Sequence, residues 1–325
     1  MNVLVLCSPR FNNETVEERF WPVDKIIISE IKKTGHEATA VLFDKAKPLQ
    51  LDGYDVVFNL CDGFEDMHDE AIVPNILATA KIPFTGNTAE VIDLSISKLK
   101  IKEKLMENGI QTPDFQVFDT GDEELKIALS SQVIIKPAIG HASCGIEVEN
   151  VVDTEEKLRK RIKSVIEECK CPVVVERYIE GREFCIPVLG NENPEAMPML
   201  EIDYSTYDEH LPKILSYKAK WSKNSNVFKN TDSLVAKEVE PKLKKKIEGT
   251  AKATFKALGC RGYASVDVRV DKDNNVYVID TNPNCYIAEE SDFVKASAEK
   301  GMSYTDLLNK IMELAIEKPH QKLQK

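Results

Sequence analysis

Three polar side chains within residues 262–285 have the types and spacing of a metal site. Two runs of β-type residues flank the polar turn 271–275, a pattern typical of a hairpin. Strand alternation places Asp267 on one face of the first strand, while Asp280 and Asn282 share one side of the second. These oxygen ligands can converge on Mg²⁺, which proteins often hold between carboxylates and substrate phosphates. A solvated hairpin with ordinary polar residues is the alternative that this segment alone leaves open.

A second group of residues has the character of a phosphate site. Lys136 closes a predicted buried strand and is followed by a loop of small residues, 137–145, that includes Ser143. Backbone N–H groups of such a loop can surround an anion while the ammonium supplies charge. The loop is not a Walker loop, because its lysine precedes the glycines. A basic helix predicted over residues 93–108 contributes Lys98, although most lysines of that helix are expected to face solvent.

Two glutamates, seven residues apart, could recognise a nucleoside. Glu176 ends a predicted strand, and Glu183 follows it after a turn. Such carboxylates could accept hydrogen bonds from an adenine amino group and from ribose hydroxyls, whereas salt-bridged surface glutamates are the alternative. Residues 203–232 form a long polar segment that contains Lys220. Loops of that length in a compact domain tend to be functional lids.

The elements that must position these residues form a mixed α and β pattern. Short apolar strands alternate with helices in the first 90 residues, which predicts a small open parallel sheet with ligand-binding loops at the strand ends. No G-x-G-x-x-G motif follows the first strand, which disfavours a dinucleotide-binding fold. Helices are predicted over residues 16–33, 71–80, 93–108, 123–129, 154–168, 241–258, 292–298 and 304–317. Strands are predicted over residues 3–7, 37–43, 55–58, 115–118, 133–136, 172–176, 184–189, 199–202 and the two arms of the hairpin.

Length and composition indicate a globular protein of two or three domains. The chain has 325 residues, of which 42% are hydrophobic and 30% charged. The net charge of −11 argues against binding to nucleic acid, so a phosphate site would need locally clustered lysines. We expect no membrane association, because the longest apolar runs are strand-sized and the N-terminus does not read as a signal peptide. The eight cysteines lack zinc or redox spacing, which favours reduced thiols and a cytoplasmic location.

Taken in order, these motifs resemble the ATP-grasp superfamily, and most closely its D-alanine–D-alanine ligase-like branch of carboxylate–amine ligases. The resemblance covers almost the whole chain. It rests on Lys98 and on residues 58–65, 82–86, 135–137, 143–145, 176–183, 219–220 and 267–282. It implies an N-terminal α/β domain with an open parallel sheet at residues 1–90. Two ATP-gripping α+β domains would follow at residues 91–183 and 184–325.

The resemblance also implies cofactors and roles for individual residues. The cofactors would be ATP and two Mg²⁺ ions, for which Mn²⁺ could substitute. The implied nucleotide-binding residues are Lys98, Lys136, Ser143, Glu176, Tyr178, Ile179, Glu183, Lys220 and Ile279. The implied metal ligands are Asp267, Asp280 and Asn282, with Asp280 bridging. The residues expected to assist catalysis are Lys220, Arg269 and Glu14.

The chemistry that the resemblance implies is activation of a carboxylate by the γ-phosphoryl group of ATP. An amine would then attack the acyl phosphate and form an amide or peptide bond. Such phosphoryl transfer depends mainly on positioning and charge neutralisation. Two other functions stay open: a non-catalytic ATP-binding protein, and an ATP-grasp ligase acting on a protein tail or a thiol. We expect small-molecule substrates, and a homodimer is possible because many relatives form one.

Departures from the family pattern fall at the substrate site. The arginine that the family has two residues before its first metal aspartate is Ser265 here. Ala142 and Trp221 stand where the family has a serine and a tyrosine in its substrate site. Glu14 corresponds to the family's glutamate. Residues 283–286 replace the small residue and glycine that follow the metal asparagine in the family. Lost polar contacts leave their substrate partners unpaired. We therefore predict that the chain is not an efficient D-alanine–D-alanine ligase and acts on a different amino-acid-type substrate.

Three basic residues could replace the lost contacts. Arg10 lies on the loop after the first strand, and His141 lies in the phosphate loop. Arg269 shares strand parity with Asp267 and could therefore point into the cleft. A surface or structural role is the alternative for each. Cys144, in the same loop as His141, is interpreted as a small packing residue, since the ATP-driven scheme needs no thiol nucleophile.

Overall fold

The described residues form three β-sheets that follow one another along the chain. The computed structural model describes residues 1–8, 22–62, 67–127, 131–140, 143–222 and 224–317. Within these ranges, no helix is both long enough and apolar enough to span a membrane. The sheets occupy residues 2–60, 115–177 and 182–282. The exact division into domains at residues 1–90, 91–183 and 184–325 stays a prediction.

The first sheet has three parallel strands. Strand β1 (Asn2–Cys7) lies between β2 (Glu37–Leu42) and β3 (Val56–Leu60). Helices α1 (Pro22–Lys33) and α2 (Ile72–Thr79) pack on its opposite faces, because alternate side chains of β1 enter separate apolar clusters with each helix. Burial on both faces explains why β1 is an unbroken apolar run. The predicted open parallel sheet is confirmed, and the predicted first helix is confirmed from its proline onward.

The basic helix predicted next is wrong as a single element, because the chain forms two helices there. Helix α3 (Ala89–Ile96) ends before Ser97, and α4 (Lys98–Glu107) begins after it. Ser97 is extended and pairs with the backbone of Ile139, while its hydroxyl oxygen accepts the N–H of Lys100. A serine that caps a helix start satisfies an N–H that would otherwise lack a partner. The break brings the first turn of α4 against the phosphate loop.

The central sheet is antiparallel and has four strands in the order β4-β7-β5-β6. The strands are β4 (Phe115–Phe118), β5 (Val133–Pro137), β6 (Val151–Val152) and β7 (Val173–Arg177). Helix α5 (Glu155–Cys169) covers one face of the sheet with three buried aliphatic residues. The sheet therefore places the ends of β5 and β7, which carry two of the predicted ligand residues, side by side.

The helix predicted after β4 is wrong over residues 123–127, where the backbone is irregular. Two side chains in and near this region accept hydrogen bonds from backbone N–H groups. The carboxylate of Glu123 accepts from Asp119, Thr120 and Gly121. The side-chain oxygen of Gln116 accepts from Lys126 and Ile127. Side-chain acceptors of this kind compete with the helical hydrogen-bond pattern, and here they stabilise a loop instead.

The third sheet has six antiparallel strands. They are β8 (Arg182–Gly190), β9 (Glu195–Ala196), β10 (Leu200–Asp203), β11 (Asp232–Val235), β12 (Gly262–Val270) and β13 (Val276–Asn282). Their order is β11-β10-β8-β12-β13, with β9 paired to β8. The helices of this region are α6 (Tyr217–Trp221), α7 (Asn226–Lys229), α8 (Pro241–Ala257), α9 (Asp292–Glu299) and α10 (Tyr304–Ile316). Helix α8 packs on the face formed by the valines of β12 and β13.

The predicted hairpin is confirmed, and it contains a β-bulge that the sequence did not reveal. Val268 pairs with Val278, but Asp267 pairs with Asp280, so Ile279 is an extra residue on β13. A bulge shifts the facing of the residues beyond it, because side chains alternate with a period of two. Strict alternation would have turned Asp280 toward the same face as Val278. The bulge turns it to the face of Asp267 instead.

Candidate active site

A cavity lies between the central and third sheets. Its volume is ≈570 Å³ when the solvent-filled opening is included. Strands β5 and β7 contribute one wall, and β8, β12 and β13 contribute the other. The predicted site residues that line it are Lys136, Ser143, Glu176, Tyr178, Ile179, Glu183, Lys220, Asp267, Arg269, Ile279 and Asp280. Lys98 lines a smaller adjoining cavity that shares Glu176 and Asp280. Asn282 lines neither of these cavities.

One part of the cavity is an apolar slot. Ile134, Ile146 and Ile214 form a buried cluster, against which Tyr178 packs. The three isoleucines and the ring also line the cavity. Apolar walls with a few converging polar groups are typical of small-molecule sites. The slot can accept a flat, largely apolar group such as a purine.

Glu176 lies behind the slot between two ammonium groups. Its side chain is 1% exposed, and its Oε2 accepts a hydrogen bond of 3.1 Å from Lys136 Nζ. Lys102 Nζ lies 3.4 Å from the other oxygen as an ion pair. Although burial favours the neutral acid, the two lysines hold the pKa of Glu176 below its usual value. Lys136 also donates to the carbonyl oxygen of Ile279, at 3.3 Å.

Lys98 is buried at the first turn of α4. Its Nζ donates to the carbonyl oxygen of Gly140, at 2.6 Å, in the phosphate loop. Burial lowers the pKa of Lys98, an effect that the negative charge of Asp280 opposes. Two lysines of α4, Lys98 and Lys102, are thus buried rather than solvated, and the expectation that the helical lysines face solvent is wrong for Lys102.

Arg269 faces the cavity, as its strand parity predicted, but its guanidinium is already engaged. It donates to Glu183 Oε2 from Nε and Nη2, at 3.1 and 2.6 Å, and from Nη1 to the carbonyl oxygen of Ile179, at 2.8 Å. It also donates to the carbonyl oxygen of Lys213 and lies 4.9 Å from the Tyr178 ring. These contacts fix Glu183 at the cavity wall. They favour a positioning role for Arg269, while its predicted catalytic role stays untested.

The phosphate loop and the segment that carries Lys220 are joined. Ser143 has a left-handed backbone (φ 61°), and its hydroxyl donates to the carbonyl oxygen of Leu215, at 2.9 Å. The N–H of Tyr217 donates to the carbonyl oxygen of Ile146, at 2.9 Å. Ser216 caps α6 by accepting the N–H of Ala219. The Lys220 side chain therefore lines the cavity from a segment that is hydrogen-bonded to residues 143–146.

Asp267 and Asp280 form a pair of facing carboxylates. Burial, opposed by Lys220 and reinforced by Asp280, raises the pKa of Asp267 to about 7. Like charges held together in a partly buried site favour a bound cation. Among the described residues, no cluster of three or more His, Cys, Asp or Glu side chains could hold a metal. A cation at this pair would take its other ligands from Asn282, water or phosphate, which suits Mg²⁺.

The residues that follow β13 contact the N-terminal part of the chain. Burial raises the pKa of the Cys285 thiol. Asn284 Nδ2 donates to Glu70 Oε1, at 2.5 Å, and this contact joins the end of β13 to the N-terminal region. Asn87 Nδ2 donates to the carbonyl oxygen of Pro283, at 2.7 Å. Both contacts connect the end of β13 to residues 70–87.

Some predicted residues lie outside the described part of the chain, namely Arg10, Glu14, His141 and Ala142. Other residues at the site were missed by sequence reasoning. Lys102 could have been found, because Lys98, Ile101, Lys102 and Leu105 share one helical face at the spacing of buried positions. Tyr204, whose hydroxyl donates to Glu183 at 3.0 Å, lies in the long polar segment and gave no local signal.

A comparison with known protein families identifies the family of this chain. The family described as D-ala D-ala ligase C-terminus matches residues 105–313, which cover the α4 end, the central sheet and the third sheet. The chain belongs to this family of ATP-grasp ligases. The resemblance inferred from the motifs is therefore confirmed.

Individual relatives match along almost the full length. The chain is 29% identical to a D-alanine–D-alanine ligase of Carboxydothermus hydrogenoformans, over 98% of this chain and 99% of the relative. It is 28% identical to the uncharacterized protein y4sG of Sinorhizobium fredii, over 97% of each chain. A crystal structure of D-alanine–D-alanine ligase from Bacillus anthracis complexed with ATP superposes with a TM-score of 0.73, at 22% identity and over 97% of each chain. The predicted fold class is confirmed.

Proposed function

We propose that this chain is an ATP- and Mg²⁺-dependent ligase that joins a carboxylate to an amine through an acyl phosphate. The observation that carries the proposal is one cavity in which an apolar slot, two lysines (Lys136 and Lys220) and a facing pair of carboxylates converge. Membership of a ligase family, and relatives named D-alanine–D-alanine ligase, support it. The products would be an amide or peptide, ADP and phosphate.

The nucleotide would be held from the slot toward the carboxylate pair. The adenine ring would pack among the isoleucines and Tyr178, with Ile179 and Glu176 at its polar edge and Ile279 on the opposite wall. The ribose hydroxyls would bind Glu183, which Arg269 holds in place. The phosphates would be bound by Lys98, Lys136, Lys220 and the loop at Ser143. Support comes from the complex of the Bacillus anthracis ligase with ATP, which has the same fold.

Asp267, Asp280 and Asn282 would hold Mg²⁺. Bound Mg²⁺ supplies positive charge to the transferring phosphoryl group. The residues of this chain would position the carboxylate substrate for attack on the γ-phosphorus. Lys220 would cover the triphosphate and help keep water from the acyl phosphate. Glu14 stays proposed as a substrate-binding residue.

The substrate is proposed to differ from D-alanine. Ser265 offers no positive charge where the family has an arginine. Trp221 is exposed on α6, where the family has a hydrogen-bonding tyrosine. Because a site built for different polar partners discriminates strongly, an amino-acid-type carboxylate or amine other than D-alanine fits better.

The test is Mg²⁺-dependent release of phosphate from ATP by the purified chain. Pools of D- and L-amino acids, dipeptides and small amines would be added, and products would be identified by mass spectrometry. We expect one pool to stimulate phosphate release and to give a condensed mass. Asp280→Asn should abolish the stimulation, whereas Asp52→Asn, at an exposed aspartate of the first sheet region, should not. Stimulated release that persists in Asp280→Asn would contradict the metal assignment.

A second candidate, a nucleotide-binding protein without ligase activity, is favoured by one observation. Ser265 lacks the positive charge that the family has at this position. Tight ATP binding without stimulation by any pool would support this candidate. Stimulation by an added protein, with a mass increase of that protein, would instead indicate a protein-tail acceptor.

A further inference from the structure

Lys102 is a buried cation that has no part in the function proposed above. It lies on α4 and is 3% exposed, with its Nζ 3.4 Å from Glu176 Oε1. It lines the smaller cavity behind Glu176 but not the larger one, which Glu176, Lys136 and Lys220 line. A nucleotide in the larger cavity would therefore meet Lys136 and Glu176, with Lys102 behind them.

Lys102 is fixed by contacts on several sides. Its Nζ donates to Thr112 Oγ1, at 2.8 Å, and that hydroxyl donates to the carbonyl oxygen of Val278, at 3.0 Å, next to the bulge. The ammonium also lies 5.0 Å from the centre of the Phe115 ring, within range of a cation–π contact. Lys102 thus connects α4 to both sheets that form the cavity.

Lys136 differs from Lys102 in what surrounds it. It lines the larger cavity, and its ammonium bonds to Glu176 at 3.1 Å and to the Ile279 carbonyl at 3.3 Å. If Lys136 also binds phosphate, its single positive charge is shared between the phosphate and Glu176. Leaving a buried carboxylate without a positive partner is strongly unfavourable. A second positive charge at Glu176 therefore favours a shift of the Lys136 ammonium toward phosphate.

We propose that Lys102 is a positioning residue, the permanent counter-ion of Glu176 that leaves Lys136 available for the nucleotide phosphates. The inference rests on the proposed function, because it takes ATP as the ligand. Without Lys102, Glu176 holds Lys136 to itself, and the phosphates lose a charge-assisted hydrogen bond. The adenosine part of the ligand loses little, since Glu176 still has one ammonium partner.

The test compares the affinities for ATP and adenosine by calorimetry. The ratio of the two dissociation constants isolates the contribution of the phosphates. Lys102→Met should weaken ATP binding at least about tenfold, the equivalent of ~1.4 kcal/mol, and adenosine binding much less. Lys102→Arg, which keeps the charge, should retain most of the ratio. The control is Lys100→Met, on the exposed side of the same helix, which should leave both affinities unchanged.

Removal of the carboxylate provides an independent check. In a Glu176→Gln background there is no charge to neutralise, so adding Lys102→Met should leave the ratio nearly unchanged. This comparison also serves if Lys102→Met alone does not fold. Equal weakening of ATP and adenosine in Lys102→Met, or a tenfold fall of the ratio in the Glu176→Gln background, would overturn the inference. Absence of ATP binding by the unaltered chain would overturn the proposed function itself and the inference with it.

Discussion

Asp280 pairs directly with Asp267 across the β12–β13 hairpin, although simple alternation along β13 would have turned it toward the valine face. The extra residue, Ile279, is the cause, and its carbonyl oxygen also accepts a hydrogen bond from Lys136. One bulge therefore turns two carboxylates toward each other and places a backbone acceptor beside Lys136. Bulges often occur next to active sites, where they redirect a side chain.

Removing one charge of this pair should stabilise the metal-free protein. Asp280→Asn relieves the repulsion that helps to raise the pKa of Asp267. A gain of about 1 kcal/mol would raise the thermal midpoint in EDTA by about 2–4 °C for a domain of 150–250 residues. Mg²⁺ should raise the midpoint of the unaltered chain but not that of the variant. Calorimetry with and without Mg²⁺ checks both statements, and a lowered midpoint in EDTA would contradict them.

The ion pair of Arg269 with Glu183 should contribute much more to folding than a half-exposed pair on the same strand, β8. Arg269→Met would leave Glu183 buried without its partner, at a cost of about 3–5 kcal/mol. Arg182→Met breaks the pair of Arg182 with Glu201, whose side chains are 39% and 26% exposed, so the expected cost is at most about 1 kcal/mol. Urea unfolding of the two variants measures the difference. Equal losses would show that Glu183 does not depend on its arginine.

Two glycines should respond oppositely to alanine. Gly181 has φ +146°, and a Cβ there would lie 2.0 Å from the carbonyl oxygen of Val270. Gly181→Ala should therefore disturb the turn between Glu176 and Glu183 and lower both stability and nucleotide affinity. Gly249 lies in α8 with no atom within 4 Å of a Cβ, so Gly249→Ala should stabilise the helix by roughly 0.5–1 kcal/mol. Thermal unfolding and ATP titration of the two variants provide the comparison.

Glu123 should show a depressed pKa and a matching dependence of stability on pH. Burial raises this pKa, but the hydrogen bonds from the N–H groups around residues 119–121 together outweigh burial and lower the pKa to about 2. A carboxylate whose folded pKa is depressed stabilises the fold above its unfolded pKa and loses this effect as pH falls through the folded value. Glu123→Gln should therefore destabilise the chain at pH 7. The difference in urea midpoint should shrink as pH falls from about 4.5 toward 2, and a constant difference would contradict the argument.

Much of this protein could be predicted from its sequence, because local patterns carry the information. The unbroken apolar run of β1 indicated a strand buried on both faces, and its environment bears this out. The order and spacing of the short motifs indicated the ligase family, which the family match confirms. Each motif consists of neighbours in the chain, so its spacing is visible before folding.

The helix boundaries were partly hidden, because the deciding contacts come from elsewhere. The break at Ser97 depends on pairing with Ile139, which is distant in sequence. The irregular backbone around Glu123 depends on how its carboxylate turns back onto preceding N–H groups. Helical propensity alone cannot weigh such competing hydrogen bonds.

The contacts among the side chains of the site were decided by tertiary structure. The sequence by itself determined the family, the order of the motifs and the types of side chain that face the cavity. Only the tertiary structure shows that Lys102 forms an ion pair with Glu176 and that the guanidinium of Arg269 donates to Glu183. Only the tertiary structure shows that Ile279 forms a bulge, which places Asp280 opposite Asp267. The physical reason is that burial and charge pairing depend on residues far apart in the chain, whose separations are set only when the two sheets meet.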